Sequence, residues 1–465
     1  MKSFKKSRIC IAVVLLGLLA LSGLGQHQET LAQGGVQLVY SRFVPQVVPV
    51  DRTEPVLLEA QITGFPSRVV LAFETTTGTT DVALNDQGTD GDRIAFDGIY
   101  SALLPPQEIT QQLREDDVFR VFTGFLSVFQ GNQQLVRGNI FAEVITPDIP
   151  LLPVTQRNSI VQHTDYLVNI VNPNFDQDGS FTEDQIAQTF YQNFGDDYDF
   201  LNIVSSLNHF RNRYHFAVKN EVFGIGLGLF NNTTFYGSFG RLQGITTFPN
   251  TIFFDGAEEG YIHELAHQWI MFLEFPPFGP SVPHWPLSTM ASGIMGWSDP
   301  NNGQGLAFPC NVTVESGGVR LTPRQGPAFF TDMDLYLMGL MSADEVGPHF
   351  VFADQDPSLI TQCNGGLYQG DLIPVSLNDV ALLAGPRAPD VVNSQKQFKI
   401  ATIIVSPEPL SEDAMAFYSF FAKRAALEEE VLTHSGFAKG TGLPFLLATD
   451  GRALLDVCLF FNCSN

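Results

Sequence analysis

The chain has 465 residues, a formal net charge of −24, 16% charged residues and 44% hydrophobic residues. This length predicts two or three domains of roughly 150 residues each, and the apolar fraction predicts large buried cores rather than a disordered chain. Because such an acidic surface repels phosphate backbones and anionic lipids, we predict no nucleic-acid partner.

The N-terminus has the pattern of a secretory signal peptide over residues 1–33. Four basic residues among the first eight precede an apolar stretch from Ile9 to about Leu21, and small and polar residues follow. The apolar stretch is short for a permanent membrane anchor, which is the alternative. We predict cleavage between Gly23 and Gln33. The mature protein should then have no membrane span and be secreted, either extracellular or periplasmic.

Four cysteines remain once Cys10, inside the signal peptide, is set aside. An even number in an exported chain predicts two disulfides. Three pairings are open, and we favour Cys310–Cys363 with Cys458–Cys463, because the second pair closes a very short loop.

Residues 36–148 are predicted to form an all-β, immunoglobulin-like sandwich. About seven short apolar runs, among them "RVVLAFET" and "GNIFAEVI", are separated by Gly, Pro, Asp and Asn, as such a sandwich requires. The proline-rich residues 149–157 are predicted to be a linker. A second domain is then expected over residues 158–465.

The stretch "NDQGTDGDRIAFDGIY", residues 85–100, is rich in aspartate and glycine. Asp86, Asp90, Asp92 and Asp97 offer oxygens to a calcium ion. The alternative is a tight turn in which these carboxylates accept hydrogen bonds from nearby backbone amides. The stretch resembles the "DDGxxGDxxAGDGxYT" segment of bacterial extracellular immunoglobulin-like modules, which supports the predicted fold more than the ion.

In the second domain, "FTEDQIAQTF" predicts a helix that starts after Thr182, with Gln185 completing a capping box. Strands are expected from Phe200 and from Thr251 to Phe254.

The segment "YIHELAHQWI", residues 261–270, carries an HExxH motif. Apolar residues recur on one helical face, and the helix is predicted to end at Pro276. His263 and His267 lie one turn apart on another face, so both can bind one zinc ion. Glu264 beside them can hold the water that zinc activates and act as general base. A solvent-facing or core-satisfied histidine pair is the alternative.

A catalytic zinc usually has three protein ligands. His284 is the first candidate for the third, because it lies past the prolines in a turn that can fold back over the ion. Asp334 is the second candidate, on a predicted helix; its alternative role is a helix-start charge that complements the helix dipole. Tyr336 or Tyr261 is a candidate to stabilise an oxyanion.

The sequence "HELAHQW" resembles the active helix of zinc aminopeptidases of the leukotriene-hydrolase type. Pro286 stands where those enzymes have their third ligand, a glutamate, so their activity does not carry over. A broader similarity is to exported bacterial proteins with an HExxH helix. It rests on "HWPLSTMASGIMG", "DMDLYLMGL" and "AGPRAPD", and it spans roughly residues 160–445. It implies a zincin-type metallopeptidase domain.

The predicted fold class is therefore multidomain, with the immunoglobulin-like sandwich followed by an α+β zincin-like catalytic domain. The predicted function is that of an exported zinc-dependent endopeptidase acting on protein or peptide substrates. One rival is an aminopeptidase or cell-wall amidase that uses the same site. The other is a non-catalytic surface-binding or adhesion protein, against which the intact Glu264 argues, since a pure binder needs no base.

Overall fold

The computed structural model describes residues 35–465, except for a number of short segments and one longer one near the C-terminus. The segments outside the description are 76–77, 111–118, 148, 176–181, 210–212, 250–259, 271, 274–275, 279–283, 300–304, 325, 362, 428–442, 461–462 and 464–465. The predicted signal peptide and the strand predicted at 251–254 lie outside the described residues.

The described residues of the N-terminal part form eight strands and one short helix. These are β1 (Gln37–Val44), β2 (Val47–Pro49), β3 (Val56–Thr63), β4 (Arg68–Thr75), β5 (Gly78–Leu84), β6 (Ile99–Leu104), α1 (Pro106–Thr110), β7 (Phe119–Gln130) and β8 (Gln133–Ile145). Strands β1, β3 and β6 belong to one sheet, and β2, β8, β7, β4 and β5 form another in that order. Both sheets contribute to a single hydrophobic cluster, so their inner faces bury one core.

The remaining strands belong to several sheets. They are β9 (Thr155–Gln156), β10 (Val161–His163), β11 (Leu167–Val171), β12 (Phe200–Ser205), β13 (Asn208–His209), β14 (Tyr214–Ala217), β15 (Lys219–Asn220), β16 (Phe230–Asn231), β17 (Gly244–Phe248), β18 (Trp297–Ser298), β19 (Gly305–Leu306), β20 (Cys310–Glu315), β21 (Gly318–Pro323), β22 (His349–Phe352), β23 (Leu372–Val375), β24 (Gln397–Ser406) and β25 (Leu454–Asp456).

Six further helices are described. They are α2 (Glu183–Tyr191), α3 (Tyr261–Ala266), α4 (Asp332–Met338), α5 (Leu377–Ala384), α6 (Glu412–Arg424) and α7 (Phe445–Ala448). No helix among the described residues is long and apolar enough to cross a membrane.

An eight-stranded mixed sheet is the frame on which the candidate site rests. Its order is β14-β17-β12-β24-β11-β10-β9, with β25 added beside β24, and β17, β12, β24 and β11 run parallel. Alternate residues along a strand point to opposite faces. Phe200 therefore joins the hydrophobic cluster that contains α3, and Leu201 joins the cluster that contains α2. The sheet is buried on both faces, as parallel strands usually are.

The predicted fold class, an immunoglobulin-like sandwich followed by an α+β zincin-like domain, is wrong. The structure is mostly β, with 38% strand against 17% helix, and its strands are divided among many sheets. The helix that carries the HExxH motif has only six residues. The chain is better described as a β-rich protein without a zincin-like catalytic domain in its described part.

Several local predictions are confirmed. Thr182 is the N-cap of α2, and the Gln185 side chain accepts a hydrogen bond from the backbone amide of Thr182. The two disulfides pair Cys310 with Cys363 and Cys458 with Cys463. The helix cap and the Cys458–Cys463 pair depend on short sequence distances, which the sequence alone displays, and the remaining two cysteines then pair with each other.

Glu143 in β8 is a buried carboxyl group with a consequence for stability. Burial penalises its charged form and raises its pKa to about 8, although hydrogen bonds from its own backbone and from Gln46 act in the opposite direction. In the unfolded chain the same group has an ordinary pKa near 4.5. The folded state therefore holds a proton that the unfolded state releases, and stability falls as the pH rises from 4.5 to 8.

Replacing Glu143 with glutamine should remove this loss, because the amide stays neutral. The difference in the free energy of unfolding, Glu143→Gln minus wild type, should increase by about 3–5 kcal/mol between pH 4 and pH 8.5. This follows from the raised pKa at ~1.4 kcal/mol per pKa unit. Urea unfolding at the two pH values measures this, with the exposed Asp81→Asn as control. A pH-independent difference between Glu143→Gln and the wild type would contradict it.

Candidate metal centre

Helix α3 lies under the sheet edge, and its side chains from Ile262 to Ala266 are buried. Its apolar positions pack as the periodicity predicts, and Trp269, just beyond it, contacts Phe200 and Phe398. The helix nevertheless ends at Ala266 rather than at Pro276, and residues 267–269 form turns. The predicted helix length is wrong because the apolar residues after Ala266 lie in an irregular segment and are buried without being helical.

Three histidines meet at the end of this helix. His263 lies in α3, His267 is the residue that follows the helix, and His284 comes from a later loop; their ligating nitrogens all lie within 4.8 Å of one another. The Nε2 atoms of His263 and His284 are 3.0 Å apart. The structure thus brings together three of the four predicted zinc ligands.

Backbone carbonyls orient two of these rings. His263 Nδ1 lies 2.9 Å from the carbonyl oxygen of Ile294, and His267 Nδ1 lies 3.0 Å from that of Ile270. A carbonyl can only accept, so each Nδ1 carries the proton and donates it. The Nε2 lone pairs are then left for a metal, which is the usual arrangement of metal-binding histidines.

The environment keeps the three imidazoles neutral. Burial lowers the pKa of His263 and of His284 well below the ordinary value, and it also lowers that of His267. Repulsion among the rings and from the Arg213 cation acts in the same direction for His263 and His284. Neutral imidazole is the form that binds a metal ion, so the site is prepared for one at neutral pH.

Asp334, the alternative third ligand, has another role. It is fully buried, and its Oδ1 accepts a hydrogen bond from Trp285 Nε1 at 2.8 Å. Its Oδ2 accepts from the backbone amide and hydroxyl of Thr331, which caps α4. Burial raises the pKa of Asp334 to about 6. Asp334 therefore anchors the residue that follows His284 in the sequence.

Gly305 in β19 packs directly against the His284 ring. A Cβ atom at this position would lie 2.1 Å from His284 Cε1. By contrast, a Cβ atom at Gly228, elsewhere in the fold, would meet no heavy atom within 4 Å. We expect Gly305→Ala to displace the His284 ring and to weaken metal binding about 10- to 100-fold, the usual cost of misorienting a ligand. A chelator-competition titration measures this. Gly228→Ala is the control, and wild-type affinity in Gly305→Ala would contradict the role of Gly305.

Glu264, the predicted general base, is buried and paired with a cation that the motif did not indicate. Its Oε1 accepts a hydrogen bond from Arg213 Nε at 2.7 Å. The Arg213 side chain is 24% exposed and that of Glu264 is 5% exposed, so the pair reaches from the buried site to solvent.

A second contact fixes α3 to the same strand. Arg213 precedes β14, and His215, two residues on, contacts the Gln268 side chain through Nε2 at 2.9 Å. Glu264 and the turn residue Gln268 thus contact Arg213 and His215, which are two residues apart in the sequence. These two contacts, Arg213 with Glu264 and His215 with Gln268, were not predicted from the sequence. The available signal was that Arg213 and His215 are two residues apart and so point to the same side of an extended segment.

Tyr336 does not lie in this constellation. It is half-buried on α4 near Arg387, and Arg387 donates to the carbonyl of Leu337. The structure gives Tyr336 no contact with the three histidines among the described residues. The side chain of Tyr261 is outside the described part.

The acidic stretch of the N-terminal part forms a second group. Carboxylate oxygens of Asp86, Asp92 and Asp97 lie within 4.8 Å of one another, and Asp90 is not part of the group. These carboxylates accept hydrogen bonds from backbone amides of the same loop, for example Asp86 from Gly98 and Asp92 from Ile94. This is the turn arrangement foreseen as the alternative to calcium binding.

The histidine site fits a metal ion by its own geometry. Tetrahedral nitrogen ligands at about 2.0–2.1 Å from zinc are about 3.3 Å apart, close to the 3.0 Å between the Nε2 atoms of His263 and His284. The buried Nδ1 of His284 has no hydrogen-bond partner among the described residues, which is consistent with a ring held by another bond. The three-histidine group could hold a metal ion.

Comparisons with known proteins add little. No protein-family model and no curated protein matches the sequence. Among solved structures, Cwp6 from Clostridium difficile aligns at 10% identity over 37% of this chain and 26% of that one, with a TM-score of 0.15. The chain thus spans about a quarter of that protein, and a likeness of this size indicates neither fold nor function.

Proposed function

We propose that this protein is an exported zinc-dependent hydrolase that cleaves peptide bonds, with an HExxH-type site. The observation that carries the proposal is the convergence of three neutral imidazoles, two buried and the third half-buried, beside a buried glutamate. Three nitrogen ligands and one open position are typical of catalytic zinc. The two disulfides support export, because disulfides persist in oxidising compartments.

In this proposal the chain's residues have distinct tasks. His263, His267 and His284 would hold the ion, which when bound supplies Lewis acidity that polarises a carbonyl and acidifies water. Glu264 accepts a proton from the attacking water at a carboxylate oxygen and passes it to the leaving amine nitrogen. The carbonyls of Ile294 and Ile270 keep the imidazoles oriented, and the buried surroundings limit access of bulk water.

One contact favours a second candidate, a non-catalytic surface-binding protein. The ion pair between Arg213 and Glu264 engages Oε1 of the carboxylate that a general base would use. A protein that used the metal only for structure would tolerate such a pair. The two candidates differ in whether the metal-loaded protein hydrolyses peptides.

The test uses the full secreted chain, stripped with a chelator and reloaded with zinc at neutral pH. We expect about one zinc ion per chain and hydrolysis of quenched fluorescent peptides that depends on the metal. Zinc uptake without hydrolysis would favour the binding protein. No zinc uptake after reconstitution would overturn both the metal site and the enzyme.

A further inference from the structure

A cleft of about 270 Å³ lies where the N-terminal part meets the mixed sheet, and it shares no residue with the three-histidine group. One wall is the face of β1, β3 and β6 that points away from the hydrophobic core of the N-terminal part. The loop between β5 and β6 and the loops that follow β11 and β24 contribute the other walls. The cleft is therefore a second place at which this chain could bind a small molecule.

The strand wall carries a row of three polar side chains. Arg42 in β1 lies opposite Glu59 in β3, and Glu59 lies opposite Ser101 in β6. All three line the cleft. Their sequence neighbours Leu58 and Ala102 belong to the hydrophobic core, and successive side chains of a strand point to opposite faces. Glu59 and Ser101 therefore point away from the core, toward the cleft.

The hydroxyl of Ser101 has no hydrogen-bond partner. The residue is only 1% exposed, and its Oγ forms no hydrogen bond in the described part of the chain. Gln61 lies two residues after Glu59 on the same strand face, and its buried Oε1 also has no partner. Unpaired buried polar groups are costly and rare. Two of them on one face, one lining the cleft, indicate that a bound molecule supplies the missing hydrogen bonds.

The charges along this row already compensate one another. Arg42 donates from Nε to Glu59 at 2.6 Å and from Nη1 to Glu408 at 3.3 Å. A guanidinium has five N–H donors, and Arg42 forms no other hydrogen bond with the described residues. One guanidinium, one buried carboxylate and one hydroxyl carry no net charge together. The row therefore matches a neutral ligand that both donates and accepts hydrogen bonds.

The other walls add apolar surface. Pro173 and Pro407 line the cleft just beyond the carboxyl ends of β11 and β24, which are neighbouring parallel strands. Ligands of open parallel sheets commonly bind at this end of the strands. Ile94, which is 63% exposed, faces the same space. The volume of about 270 Å³ lies just below the usual range for small-molecule sites, which suits a ligand with a single ring.

We propose that this cleft binds one neutral sugar residue. A sugar hydroxyl both donates and accepts, so it can donate to Glu59 and accept from the remaining N–H groups of Arg42. The Ser101 hydroxyl completes its hydrogen bonding in the same contact. The C–H faces of the ring pack against Ile94 and the two prolines. This binding site is separate from the histidine group and does not depend on hydrolysis.

The test measures ligand binding to the full secreted chain by saturation-transfer NMR and calorimetry. The probes are methyl α-D-glucoside, methyl α-D-galactoside and N-acetyl-D-glucosamine. Acetate and propylammonium are the comparison ligands, because they are small and carry one charge each. We expect at least one of the sugars to bind, and we expect neither ion to displace it.

Ser101→Ala locates the binding in the cleft. Because the Ser101 hydroxyl has no internal partner, the substitution removes no hydrogen bond of the folded protein, and the Tm should not fall. We expect sugar affinity to drop about 3- to 10-fold, the value of one neutral hydrogen bond. Ser298→Ala is the matched control, since Ser298 is also buried with an unpartnered Oγ but lies outside the cleft.

Each outcome bears on the proposal. Sugar binding that weakens in Ser101→Ala and persists in Ser298→Ala supports the site. If none of the three sugars binds, the cleft holds only water and the proposal is overturned. Binding of acetate or propylammonium in preference to the sugars would overturn the assignment to a neutral ligand. Equal affinity of Ser101→Ala and the wild type, or equal weakening in both serine variants, would remove the cleft as the binding site.

Discussion

Replacing His284 with alanine is expected to abolish stoichiometric metal binding while the protein stays folded. His284 supplies one of the three histidine nitrogens that lie within 4.8 Å of one another. Residues that merely support a ligand are worth about 10- to 100-fold in metal affinity, so the loss of a ligand itself should exceed about 100-fold. Metal per chain, measured by elemental analysis after gel filtration, gives the result directly.

Asp334→Asn is the matched comparison for this experiment. The amide can still accept from Trp285 and keeps the volume of a side chain that is fully buried. We expect Asp334→Asn to retain one metal ion per chain, with at most about a 100-fold weaker affinity. If Asp334→Asn lost the metal and His284→Ala kept it, the proposed ligand set would be wrong.

Replacing Glu264 with glutamine should lower kcat by about 10²- to 10⁴-fold without loss of zinc, which is the usual contribution of a general base. Glutamine preserves the shape of the side chain and its place beside Arg213, but it cannot accept the proton of water. Zinc content and peptide hydrolysis, measured on the same preparation, separate the role of Glu264 from that of the histidines.

The control for this variant is Glu221→Gln. Glu221 is a 70% exposed carboxylate that pairs with Lys219 near the sheet edge. We expect its substitution to leave hydrolysis unchanged. Unchanged activity in Glu264→Gln itself would remove the base from the mechanism and make the non-catalytic surface-binding protein the better account.

The three-histidine group could be foreseen from residue chemistry and, for His263 and His267, from their short sequence distance. Two histidines four residues apart on a helix share a face, whatever the surrounding fold is. His284 was identified because a loop past Pro276 and Pro277 can return to the helix. Asp334 was harder to judge, because nothing in a sequence distinguishes a carboxylate that binds metal from one that holds Trp285 Nε1.

The fold class could not be derived from the same motif. HExxH specifies a site and not an architecture, since one site chemistry occurs on unrelated folds. The periodicity of Trp269, Ile270 and Leu273 suggested a longer helix, but all three are buried from irregular backbone. Burial produces apolar positions whether or not the backbone is helical, so periodicity overestimated the helix.

Arg213 was missed for a different reason. It lies 51 residues from Glu264, and its place beside the helix depends on strand pairing between β14 and β17. Such a pairing is set by the whole sheet. An isolated arginine in "RNRYHF" has no local feature that points to a partner so distant in the sequence.

The shortness of α3 limits how this site could be transplanted. A free helix of six residues does not form in water, because nucleation is costly and isolated helices below about 12–15 residues are marginal. Grafting "HELAHQ" onto a carrier protein would therefore transfer the sequence motif without the three-dimensional arrangement that metal binding requires. A smaller protein that kept the site would need the contacts between α3 and strand β14. It would need the Ile294 carbonyl as well, which accepts a hydrogen bond from His263 and orients its ring. It would also need Gly305 to leave room for His284, so the smallest portable version is a discontinuous set of segments.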